Sequence, residues 1–163
     1  MATEYETSER QSEERVKRRP AWIGGVIGGL AGGAVMGLML SMMMTPVIQQ
    51  AIPALWGLEG MGAGWVIHLI NSVIFGVIFA MLVTRTGLRR YERSVGRSTV
   101  LGLVYGTVIW IVAAGFVMPI WLQAVGFPMV PPLPNFDPMS LVGHLVFGGI
   151  LGIVYPYVSG FSE

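Results

Sequence analysis

An all-α fold with four membrane-spanning helices is what this sequence predicts, and three observations carry the prediction. Hydrophobic residues fill 53% of the 163 positions and charged residues 12%, about half the roughly 25% charge of a soluble domain. Mean hydropathy is +0.66. Charge is also absent from 20–58, 60–84, 98–136 and 138–162, stretches of 39, 25, 39 and 25 residues, where about 20 suffice to cross a bilayer as a helix.

Taken in order, residues 1–19 carry five acids and five bases and are expected to form a disordered cytoplasmic tail, not a signal peptide, because the apolar run behind them is too long for one. The spans are placed at Ala21–Met44, Gly64–Thr84, Thr99–Met118 and Met139–Tyr157, with 20–163 as one transmembrane domain. All ten Lys and Arg lie in the tail or in 85–97, while the two opposite connections hold only Glu59 and Asp137. The positive-inside rule then puts both termini and the middle loop in the cytoplasm, in a multi-pass protein of the cytoplasmic (inner) membrane. Trp56, Trp65 and Trp121 fall near the outer ends and Trp22 near the inner one, at headgroup level. The outer connections 46–58 and 119–136 are too apolar for ordinary loops. Their first parts are expected to lie as short helical or re-entrant pieces, and 128–134, with its prolines, as an extended cap.

The spans also repeat. A shift of 73 residues superposes Gly29, Leu30, Gly33 and Val35 on Gly102, Leu103, Gly106 and Val108, and Pro46 on Pro119. A shift of 76 superposes Val66, His68, Leu69 and Gly76 on Val142, His144, Leu145 and Gly152. The pattern predicts a duplicated two-helix hairpin, repeat 1 at 21–84 and repeat 2 at 98–158, with parallel repeats. Helix packing is assigned to rows of small residues: Gly25, Gly29, Gly33 and Gly37 in span one, with Gly24, Gly28 and Gly32 beside them; Ser72 and Gly76 in span two; Gly102 and Gly106 in span three; Gly148 and Gly152 in span four. The surplus of glycine in span one also admits a dimerisation face. Trp110, at the position matching Gly37, prevents identical packing of the two halves.

His68 and His144 are the candidate ligand-binding residues, since an ionisable group inside a span is a functional hypothesis by default. Three readings stand side by side. The imidazoles can be polar glue between helices, worth about 0.6–2 kcal/mol. They can hold haem b through both axial positions, with the glycines making room. They can bind copper together with thioethers such as Met42, Met43, Met44 and Met118, although methionine is also a common packing filler. No cofactor is expected on the first reading, and no metal is assigned. Cysteine is absent, which removes thiolate chemistry. No phosphate loop, buried carboxylate or acid–base relay is evident in the spans, and the small net charge of +1 argues against nucleic acid.

The stretch His68-Leu-Ile-Asn-Ser72-Val-Ile-Phe75, the Gly102/Gly106 span, and Pro128-x-x-Pro131-Pro132 leading to Gly143-His144-Leu145-Val146 resemble the YagU-like family of small inner-membrane proteins. The resemblance covers about residues 66–148. It implies an integral-membrane fold with two histidines at matched positions, and no particular reaction. The expected function is that of a small non-enzymatic membrane protein whose partners are the lipid bilayer and either other membrane subunits, as an accessory or scaffold, or further copies of itself. A haem- or copper-binding electron-transfer module is the alternative.

Overall fold

The computed structural model describes residues 20–88 and 94–159; the tail 1–19 and the centre of the basic loop, 89–93, lie outside the described residues. Among the described residues four helices are long and apolar enough to cross a membrane: Ala21–Met43, Met61–Arg85, Val95–Ala124 and Pro138–Ser159. We number the helical segments α1 (Ala21–Met43), α2 (Ile52–Ala54), α3 (Met61–Arg85), α4 (Val95–Ile109), α5 (Met118–Ala124) and α6 (Pro138–Ser159). The chain is an all-α, multi-pass membrane protein.

The third span differs from its expected form. It does not end at Met118 but runs on through Pro119 to Ala124, so that Val95–Ala124 is 30 residues long, about 45 Å at 1.5 Å per residue. Between α4 and α5 the helix widens to π geometry over Trp110–Val117. The cause lies in the proline. Pro119 has no N–H to give the carbonyl four residues back, and its ring crowds that carbonyl. The carbonyl belongs to Gly115, and it accepts the Asn135 backbone N–H instead, at 2.9 Å. The first connection solves the same problem the same way. A π-helical turn, Val47–Ala51, leads into α2; Pro53 frees the Gln49 carbonyl, which accepts the Gly60 N–H at 3.0 Å. Residues 125–137 follow without helix. Together the two connections cap one end of the bundle, where Trp56 and Trp121 meet with ring centres 6.0 Å apart. Trp65 turns inward against α1: its indole lies over Gly37 and donates to Ser41 Oγ at 3.1 Å.

Packing follows the small residues. A Cβ on Gly25 or Gly29 would strike the backbone carbonyl of Gly76 or Ser72, and a Cβ on Gly33 would strike the Ser72 hydroxyl, so α1 and α3 touch almost backbone to backbone. In the second hairpin Gly102 meets Gly148 and Gly152, while Gly106 meets His144 and Gly148. The second row of α1 is used inside the same chain, against α6: Gly24 faces Tyr155, Gly28 Leu151 and Gly32 Phe147. Thus α3 packs on α1, α1 on α6, and α6 on α4.

Candidate functional site

The backbones of α3 and α4 do not close on each other as those of the other neighbours do, and the sequence explains why. Going 73 residues along from Gly24, Gly28 and Gly32 gives Arg97, Leu101 and Tyr105. Where α1 offers α6 a bare groove, α4 offers α3 bulky side chains. Tyr105 bridges the gap: its hydroxyl donates to the Phe75 carbonyl at 2.7 Å, and its ring lies 5.2 Å from that of Phe79. Phe79 in turn packs edge-on against Tyr155 at 5.3 Å. These aromatics fill the half of the bundle nearer Arg85 and Arg97.

Beyond them, towards the capped end, the interior is hollow. A partly open cavity of about 370 Å³ is bounded by all four spans and both connections. This volume lies at the small end of the roughly 300–1,000 Å³ typical of ligand pockets. Its walls are largely apolar, with Met36, Leu40, Phe75, Ile109 and Phe147 towards the centre and Met44, Met118, Trp121 and Met129 towards the cap. Both π-helical stretches contribute, through Val47, Gln50 and Ala51 and through Ala113, Ala114 and Val117. The polar groups are His68, Asn71, Ser72, Gln50, Asn135, Ser140 and His144. Among the described residues no Asp, Glu, Lys or Arg lines it.

The two histidines therefore reach one cavity, but they are held differently. His68 is buried on α3, and its Nε2–H donates across the helix interface to the Gly33 carbonyl at 2.9 Å. The ring fits because the next turn of α1 is Gly37, where a Cβ would come within 3.2 Å of His68 Cδ2. Ser72 donates to the His68 carbonyl at 2.7 Å and steadies the turn. On α4 the position matching Gly37 is Trp110. His144 is half-buried and turns back on its own helix, its Nδ1–H donating to the Ser140 carbonyl at 2.7 Å. A carbonyl only accepts, so each bond fixes which nitrogen carries the hydrogen. In the neutral ring the other nitrogen, Nδ1 of His68 and Nε2 of His144, is left as an acceptor.

Sequence reasoning passed over several residues that shape the site. Asp137 is the N-cap of α6, its Oδ1 accepting the Ser140 N–H at 2.7 Å, with Pro138 in the first turn; Asp-Pro ahead of an apolar run is a recognisable start signal. Its carbonyl also accepts the Trp110 indole N–H at 3.2 Å. Phe136 packs on Trp110 at 5.1 Å and on Phe116 at 5.8 Å, over the space that Gly115 leaves, and so pins the cap to the π-helical stretch. Of the methionines named for copper, Met44 and Met118 line the cavity, as does Met129, whereas Met42 and Met43 are exposed; Met36 is a lining residue the sequence did not single out. Among the described residues no group of three or more His, Cys, Asp or Glu is placed to hold a metal.

No family model, curated protein or solved structure matches the chain.

Proposed function

We propose that this chain is a non-catalytic membrane module that holds a small, largely apolar molecule in the cavity between His68 and His144. The observation that carries the reading is the hollow itself. Three of the helix contacts are close-packed, yet at the fourth large residues on α4 hold α3 away and leave a partly open space with polar groups at few points. Buried apolar space with a few convergent polar groups is the ordinary form of a small-molecule site. The accessory-subunit and homo-oligomer readings concern the outside of the bundle, where Val, Leu and Ile are exposed all round and suit lipid as well as a protein neighbour.

Haem b is less favoured as the occupant, because Gly33 engages Nε2 of His68 and leaves towards an iron only the nitrogen beside the ring's attachment. Copper would draw on the two acceptor nitrogens together with Met44 and Met118. We take the parallel contacts of the two hairpins as the product of duplication. Gly29 meets Ser72 and Gly76 as Gly102 meets Gly148 and Gly152, which are the pairs the shifts of 73 and 76 superpose. The YagU-like resemblance and the cytoplasmic placement of the termini belong to the same proposal.

The test is thermal unfolding of the full chain in detergent with durene, an apolar ring, as probe. Binding to the folded state raises Tm. Durene is expected to raise it by a few degrees, and Ala113→Phe, which fills the cavity, is expected to abolish the rise. Absence of any rise in the unaltered chain overturns the reading. A Soret band or stoichiometric copper in gently purified protein would replace the apolar occupant with the corresponding cofactor.

A further inference from the structure

We infer that the occupant of this cavity is a neutral ring bearing hydroxyl donors, of the phenol or hydroquinone class. The inference rests on the proposed ligand cavity and adds the chemistry that selects its contents. Absence of charged residues from the lining leaves carboxylates, phosphates and free ammonium groups without a counter-charge, and burying such ions unpaired is strongly unfavourable. The ligand is therefore neutral. Its polarity is set by the two imidazoles. Each has its one hydrogen committed to a backbone carbonyl, His68 to Gly33 and His144 to Ser140, and each lines the same cavity. Neither remaining nitrogen has a protein hydrogen-bond partner among the described residues, and neither is a fully buried atom.

Two acceptors on different helices, α3 and α6, call for a ligand with donors. The amides of Gln50, Asn71 and Asn135 can turn to offer either a donor or an acceptor, so they serve a hydroxyl and a carbonyl equally. The imidazoles tip the balance. A hydroquinone satisfies them, whereas the corresponding quinone, with acceptors only, leaves both unpaired and pays their desolvation. The remaining walls, with Phe75, Phe147 and Trp121 among Leu, Ile and Met, suit an alkylated ring.

The experiment is equilibrium dialysis of the full chain in detergent under argon, with tetramethylhydroquinone, its quinone and durene, each corrected for partition into empty micelles. The hydroquinone is expected to bind about tenfold more tightly than the quinone, as two modest hydrogen bonds allow. His144→Phe is the cleaner variant, because the bond it removes lies within one helix turn; it should narrow the preference by roughly threefold and leave durene binding in place. A decyl-tailed hydroquinone separates the sources: tighter binding than the tail-less ring assigns a membrane-borne ligand, equal binding a free one. Equal affinity for quinone and hydroquinone, or a preference that survives both His144→Phe and His68→Phe, overturns the inference while durene binding leaves the cavity reading standing. Failure of all three rings to bind overturns both.

Discussion

Two histidines at matching repeat positions behave differently because of what stands one turn away on the neighbouring helix. Gly37 lets the His68 ring lie across the interface and bond to Gly33, at 2.9 Å. Trp110 occupies the matching place, and His144 bonds to Ser140 of its own helix. The energetic weights differ accordingly. His68→Ala removes a buried ring and an interhelical bond, and is expected to cost about 2–4 kcal/mol. His144→Ala removes a half-buried ring and a local bond, and should cost about 1 kcal/mol or less. Chemical unfolding in detergent measures both. Equal losses would mean that His68 is not the tie between α1 and α3.

At the scale of elements, glycine decides which helices touch. The relevant property is the missing Cβ, since in lipid the attraction between helices comes from close van der Waals contact rather than from release of water. Gly76 sits against the Gly25 backbone, while Gly62, also on α3, has open space around it. Gly76→Ala should therefore destabilise the protein by about 1–3 kcal/mol through overpacking. Gly62→Ala should be neutral or stabilising by up to about 1 kcal/mol, because alanine is the better helix former. Comparing their melting temperatures in one detergent tests the assignment, and similar losses at the two sites would refute it. The π-helical stretches follow a related rule: each precedes a proline, and each freed carbonyl, Gln49 and Gly115, is taken by a residue of the following connection. This ties the cap to the helix ends and widens the cavity wall at the same places.

The whole molecule is asymmetric in two senses. Its charges gather at one end: Arg85 and Arg97 flank the basic loop, while the capped end carries Glu59 and Asp137. The orientation we propose puts the cap outside. In sealed cells an impermeant thiol reagent should label Glu59→Cys and Met129→Cys, both at exposed positions, and spare Arg90→Cys; labelling of the last would reverse the orientation and move the cavity to the cytoplasmic leaflet. Its packing is asymmetric as well. One neighbour pair, α1 with α6, closes on the glycine row Gly24, Gly28 and Gly32, and the corresponding pair, α4 with α3, stays apart on Leu101 and Tyr105. The cavity is the difference between the two.

Much of this was written in one dimension. The absence of charge over four stretches is a local property, so the spans, their number and the non-helical form of 128–134 could be read directly. So could the glycine rows and the matching positions of His68 and His144 on their helices, which depend only on spacing along a helix. Residue spacing could not say which row meets which helix. In a bilayer the lipid-facing and protein-facing sides are both apolar, and no hydrophobic periodicity separates them. The second row of α1 therefore left a second copy of the chain open beside packing within the monomer, and the continuation of the third span through Pro119 depended on a donor, Asn135, sixteen residues away. The hydrogen on each imidazole was equally out of reach, because the carbonyl that claims it belongs to α1 in one case and to α6 in the other. Local composition determined that these helices lie in a membrane; only their tertiary arrangement decided that two of them stand apart, since that depends on side-chain volumes meeting between different helices, as Tyr105 meets Phe75 thirty residues away.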